Sequence, residues 1–177
     1  ELVAASARQV GGTAPAATGD DDAGGGGGSD EDETTRLRAR VIQEVLATEL
    51  EFVTDLGVLL KYYAFPMLAK RLLSWDEYQS LFSNVQEVLD VNLSLLQQLD
   101  AAGKEDAHSF AGVFLAHERE LRCYLPYCVN FPHASNLLER LLRQNGAFAA
   151  HERAMQDVPE TKLLGLAAFL IKPVQRI

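Results

Sequence analysis

No run built mainly of large apolar residues in this sequence exceeds the nine positions of Leu163–Ile171. A membrane-spanning helix requires ~20, so no transmembrane segment is expected. Cysteine is scarce. Cys123 and Cys128 lie five positions apart in one predicted helix, where they neither share a face nor form a C-x-x-C pair, which points to a reducing compartment and no disulfide. Basic residues never gather into the stripe that phosphate binding needs, and this argues against a nucleic-acid partner. No secretory signal is visible, although a chain that begins at Glu1 rather than Met could have lost an upstream address.

Catalytic signatures are missing as well. His117-Glu118 and His151-Glu152 each begin like a zinc-binding helix, but Leu121 and Met155 stand where the second His is needed. There is no G-x-S-x-G elbow and no local Cys-His signature. Gly24–Gly28 has no strand before it and no Lys-Ser/Thr pair after it, so it reads as flexible linker, not phosphate loop. Asn92-Leu93-Ser94 has the form of a glycosylation sequon but falls inside a predicted helix, and is taken as accidental. Tyr124 and Tyr127 are read as core. The expectation is no metal and no cofactor.

What remains is a charge asymmetry and a helical pattern. Residues 1–34 hold eight of the 25 acids against Arg8 alone, leaving 17 acids and 15 bases in residues 35–177. The net charge of -9 is therefore a property of a tail too poor in large apolar residues to offset its ordering entropy, and residues 1–34 are expected to be a disordered acidic, Gly-rich linker. Residues 35–177 have the length and composition of one folded domain. Apolar residues recur three and four apart throughout, without strand-like alternation. Helices are predicted at 35–63, 66–73, 74–99, 108–130, 134–145, 147–156 and from Thr161 onward. Ser74-Trp75-Asp76-Glu77 forms a capping box at the third start, Gly103 sits in the break 100–106, and Pro126 is expected to bend or end its helix. The fold class is all-α, an elongated helical bundle.

At about 100° per residue, Val41, Ile42, Val45, Leu46, Leu50, Phe52, Val53, Leu56, Leu59, Leu60 and Tyr63 form one apolar arc of the first helix, with Glu44, Glu51 and Asp55 opposite, on a solvated face. Glu49 breaks the rule by falling in the middle of the arc. A carboxylate there must pair internally, with an Arg or Lys of another helix, or wait in a gap for a partner. The same arithmetic on the last segment places Leu163, Leu166, Ala167, Leu170, Val174 and Ile177 on one face and Lys172, Gln175 and Arg176 on the other. Pro173 removes the amide that would serve the carbonyl of Phe169 and should kink the helix. Such a bent helix suits either recognition or a curved surface.

The stretch VIQEVLATELEFVTDL (Val41–Leu56), with its Thr48-Glu49-x-x-Phe52-Val53 centre, resembles the first conserved region of Dbl-homology domains, the exchange-factor module for Rho-family GTPases. FLIKPVQRI (Phe169–Ile177) resembles the start of their third region. LFSNVQEVLDVN (Leu81–Asn92) and LPYCVN (Leu125–Asn130) are similar to the family at suitable separations, though Pro126 departs from an uninterrupted helix. The likeness spans residues 36–177. It implies that Glu49 contacts the first switch loop of a Rho-family small GTPase and Lys172 the second, with Gln175 and Arg176 as weaker partner contacts.

The family binds the nucleotide-free GTPase more tightly than the loaded form, so by reciprocal coupling it speeds GDP release without covalent chemistry and without a cofactor of its own. The resemblance further implies a domain incomplete at its C-terminus, cut within the third region and inactive alone. It also implies a pleckstrin-homology domain downstream and a cytoplasmic protein recruited to membranes through domains outside this chain. Two alternatives stand beside it: a helical scaffold or tether that binds other helices, and an exchange-dead relative.

Overall fold

The computed structural model describes residues 28–104 and 107–176. Residues 1–27 of the expected linker, Glu105, Asp106 and Ile177 lie outside the described residues. The chain divides into two compact units, the first ending at Val41 and the second beginning at Ile42. The second unit holds every core and site residue. Among the described residues there is no strand. The protein is an all-α helical bundle.

The first helix, α1, covers Gly28–Val58, so residues 28–34 of the expected linker are helical, and Val41 of the predicted arc is exposed. From Ile42 the arc behaves as the spacing predicts: Val53, Leu56, Leu59 and Leu60 are buried. The spacing also predicts a stop at Tyr63. Instead the helix widens into a π turn at Leu59–Ala64 and continues as α2, Phe65–Ala69. Pro66 has no N–H to offer the carbonyl of Tyr62. That carbonyl is met by His151 Nε2 at 3.2 Å, which fixes the proton on Nε2 and leaves Nδ1 to face Lys70 Nζ at 3.4 Å. The end is a Schellman turn, with Leu72 N bonding Met67 O and Arg71 N bonding Leu68 O, both 2.9 Å, and Arg71 left-handed at φ 54°.

Ser74 caps α3 (Trp75–Phe82) with the full capping box: its hydroxyl accepts from Glu77 N, and Glu77 accepts from Ser74 N. The predicted run to Leu99 is interrupted at Ser83 (φ 48°). Asn84 restarts the chain by donating to Cys123 O at 2.9 Å and Glu87 at 2.8 Å. The break lets Phe82 and Val85 both bury, and α4 then spans Val85–Ala102. A Cβ on Gly103 would stand 3.1 Å from Ile42 Cγ2, which explains the glycine where α4 ends.

Helix α5 is Ala107–Ala116, and a 3-10 turn at Glu120–Cys123 leads into α6, Tyr124–Gln144. The predicted helix 108–130 is thus broken between Ala116 and Tyr124, and its last part merges with the predicted helix 134–145. Pro126 lies in the first turn of α6, where a missing N–H costs nothing. Pro132 lies inside it, at a cost of ~3 kcal/mol, but Leu137, Leu138 and Leu141 are buried beyond it at ~1.5–3 kcal/mol each. Continuation wins. Helix α7, Gly146–Gln156, is capped by Asn145, whose Oδ1 accepts from Phe148 N.

After a 3-10 turn at Pro159–Thr161 the chain does not run on as a helix. Lys162 and Leu163 are both left-handed, at φ 55° and 60°, and only then do α8 (Leu166–Leu170) and α9 (Lys172–Gln175) form. Pro173 separates them as expected. The predicted face holds only in part: Leu166 and Leu170 are buried, but Leu163 is 74% exposed, Ala167 is exposed and Phe169, outside that face, is fully buried. One large core joins α1, α3, α4, α6, α7 and α8. A smaller one joins Leu95, Leu99, Ala102 and Phe110 with Ile42, Val45 and Leu46. By length and composition one helix, Glu31–Ala69, could cross a membrane, with mean hydropathy 1.2 over 18 residues, but half of that window is buried in the protein.

Candidate functional site

The carboxylates of α1 and the cations of the last segment meet. Glu49 is 4% exposed, and its Oε1 is ion-paired with Arg176 Nη2. Its Oε2 is buried with no partner. The Arg176 guanidinium also lies over the Phe52 ring, 4.9 Å from its centroid, a cation–π contact of ~0.5–1 kcal/mol where one face stays wet. Six residues further along the helix, Asp55 is 1% exposed. Lys172 Nζ is 2.7 Å from its Oδ2, and Lys162 Nζ is 3.1 Å from its Oδ1 and 2.9 Å from Glu51 Oε1. The hydrogen bond to Glu51 is the main cause that raises the Lys162 pKa, which Asp55 reinforces against burial.

A neutral polar layer backs this row. Tyr124 donates to Asn92 Oδ1 at 3.0 Å, and Asn92, 1% exposed, donates to Val88 O at 2.7 Å. Burial pushes the Tyr124 phenol above its usual range, while the Asn92 hydrogen bond and Arg176 oppose and the charge of Glu49 adds. Asn92 is thus a core residue, which disposes of the sequon.

The segment that delivers the cations is itself tied down. Tyr63 donates to Leu164 O at 2.7 Å and Tyr127 to Leu170 O at 2.7 Å. Glu152 accepts from Leu166 N at 3.1 Å and from Gln156 Nε2 at 2.8 Å, so its carboxylate stands at the start of α8. A Cβ on Gly165 would lie 2.7 Å from Glu152 Oε1, hence the glycine. Two successive left-handed non-glycine residues cost ~1–2 kcal/mol each.

Of the residues singled out in the sequence, the structure brings Glu49 together with Arg176, and Lys172 together with Asp55. Gln175 is exposed. Three expectations need correction. Glu49 is not left open in the isolated chain, because the internal ion pair forms on one of its oxygens. Lys172 and Arg176 do not point away from the core; they turn in to the carboxylates of α1. Asp55 is not on a solvated face. Sequence reasoning missed it, although a signal existed: Leu59 lies about 40° from it around the helix, so the apolar arc was already widening toward Asp55. His151 and Glu152, which lack the second His of a zinc motif, instead serve the backbone at Tyr62 O and Leu166 N. Among the described residues no group of His, Cys, Asp and Glu could hold a metal ion.

In this all-α bundle the carboxylates Glu49, Glu51 and Asp55 of the first long helix thus face the cations Lys162, Lys172 and Arg176 of the Pro-interrupted last segment. The RhoGEF domain family matches residues 41–177, and the chain belongs to that family. It is 31% identical over 144 residues to the myosin-M heavy chain of Dictyostelium discoideum, covering 80% of this chain and 8% of that protein. Among solved structures it superposes on the linker-DH/PH domains of p115-RhoGEF with TM-score 0.74 at 23% identity, over 81% of this chain and 45% of that one. On the PDZ-RhoGEF DH/PH domains, solved in complex with GTP-gamma-S-activated RhoA, the TM-score is 0.71 at 21% identity, over 78% of this chain and 41% of that one. The chain thus spans under a tenth of the curated relative and less than half of either solved chain.

Proposed function

We propose that this domain promotes guanine-nucleotide exchange on a Rho-family small GTPase, acting by binding and without covalent chemistry. The observation that carries the proposal is membership in the RhoGEF family across residues 41–177. A fold shared with DH/PH domains solved on RhoA supports the choice of partner class. The exchange factor stabilises the nucleotide-free GTPase, and reciprocity requires that nucleotide and magnesium be weakened in return. Both belong to the partner.

Glu49 is the residue proposed to meet the first switch loop. Its buried, unpartnered Oε2 is an acceptor already stripped of water, and a donor from the partner would satisfy it. Arg176, whose side chain is still 27% exposed, is the group that yields. Gln175 is exposed and open to contact. Lys172 reaches the second switch loop only by releasing Asp55. A pleckstrin-homology domain downstream and a cytoplasmic location with membrane recruitment complete the proposal. Residues 1–177 are proposed to be insufficient for exchange alone, since they span only part of the DH/PH chains they resemble.

The test is release of a fluorescent GDP analogue from Rho-family GTPases. The full-length protein accelerates release, and Glu49→Ala lowers the rate on the order of tenfold or more, ~1.4 kcal/mol per decade, while the protein stays folded. Unchanged exchange in folded Glu49→Ala overturns the assigned contact.

A further inference from the structure

Asp55 is the charge that neither the helical pattern nor the partner contacts account for. It is 1% exposed on α1, and two ammonium groups close on it from either end of residues 162–172, Lys162 at 3.1 Å and Lys172 at 2.7 Å. Between those lysines the chain carries its most constrained stretch: left-handed Lys162 and Leu163, the close approach of Gly165 to Glu152, and the Glu152 cap on Leu166 N. Leu163, at 74% exposed, offers no burial to offset its conformation. The left-handed Lys162 is instead held by Glu51 and Asp55.

Lys172 is also the first residue of α9, next to buried Pro173 and four positions before Arg176. Anchoring it therefore sets where Arg176 falls against Glu49. If Lys172 left, Asp55 would keep only Lys162, whose approach to Oδ1 lies outside hydrogen-bond geometry. A buried carboxylate so stripped is strongly unfavourable, which keeps Lys172 in place when a partner docks.

We propose that Asp55 is a positioning residue of the exchange site: by holding Lys162 and Lys172 it fixes α9 on α1 and so orients Arg176 and Glu49 toward the GTPase, and Lys172 acts through Asp55 instead of touching the partner. The proposal rests on the exchange reading of the site.

The test is a double-mutant comparison in the full-length protein, reading GDP release together with backbone amide resonances of residues 49 and 174–176. Lys172→Met leaves the Asp55 carboxylate without its close cation, and exchange should fall about tenfold as the amides of 174–176 shift. Asp55→Asn alone should lower exchange by a similar factor and move the same amides, and the double variant should be no worse than either single change, the coupling expected of two residues that act through one contact. If Lys172 touches the GTPase directly, Lys172→Met lowers exchange about tenfold further in the Asp55→Asn background, and the proposal is overturned. Full exchange in Lys172→Met overturns it too. If the unaltered protein fails on every Rho-family GTPase, the exchange reading fails by itself. The amide arm then decides the positioning role: resonances that move alike in Lys172→Met, Asp55→Asn and the double variant support it, and resonances unmoved in either single variant end it.

Discussion

Glu49 and Arg176 form a pair whose two halves are not equivalent. Glu49 is almost wholly buried, whereas Arg176 keeps about a quarter of its side chain in water and rests on Phe52. Removing the cation leaves a buried charge without compensation; removing the carboxylate leaves a cation that water can serve. Breaking a fully buried pair costs ~3–5 kcal/mol, and water reaching Glu49 once Arg176 is gone should reduce that. Arg176→Ala is therefore expected to cost about 2 kcal/mol, against less than about 1 kcal/mol for Glu49→Met, which also abolishes the unpartnered Oε2. Urea denaturation of the two variants checks the order, and equal or reversed costs refute the asymmetry. A site residue that can be neutralised at small cost in stability is what a binding function, kept against the interest of the core, leads one to expect.

At the scale of elements, the link between α2 and α7 is a proline fault repaired by a histidine. Pro66 cannot serve Tyr62 O, and His151 Nε2 does so while Nδ1 faces Lys70. Burial lowers the His151 pKa, Lys70 lowers it further, and the hydrogen bond to Tyr62 O only partly opposes them. The folded value thus lies below the unfolded one, so the unfolded chain binds the proton first. Stability is complete above the ordinary histidine range near ~6.5 and is lost as pH falls through the lowered folded value. His151→Gln keeps a donor for Tyr62 O but cannot titrate. The drop in urea midpoint between pH 7.5 and pH 5 should therefore be smaller in the variant than in the parent, and an equal drop would place the acid sensitivity elsewhere.

The same element shows what a sequence discloses. Periodicity found the bundle, the capping box at Ser74 and the break at Pro173, because each is a local property of neighbouring residues. It left a gap in α6 between Asn130 and Ala134, where Pro132 lies, and ended the first helix at Tyr63, because tolerance of a proline depends on distant partners: Leu137, Leu138 and Leu141 in one case, His151 in the other. Glu49 was legible as an anomaly. Its partner was not, since an ion pair 127 positions apart leaves no trace in spacing.

The whole molecule, on the proposed reading, is a device that distinguishes two states of another protein, and that discrimination has a thermodynamic consequence independent of rates. If the exchange factor binds the nucleotide-free GTPase more tightly by some factor, nucleotide binds the exchange-factor complex more weakly by the same factor. Coupling energies of this kind run to ~1–3 kcal/mol or about 5–150-fold. Binding to the folded state alone also raises apparent stability with free partner concentration. The full-length protein should therefore melt at higher temperature with a nucleotide-free Rho-family GTPase than without it, and excess GDP with magnesium should remove most of the increase. Glu49→Ala should show a smaller increase at the same GTPase concentration while melting near the parent temperature alone. A scaffold that binds helices would show a shift indifferent to nucleotide. An exchange-dead relative that has lost the switch-loop contact would show none that Glu49→Ala diminishes. Thermal melts under those conditions separate the three behaviours before any rate is measured.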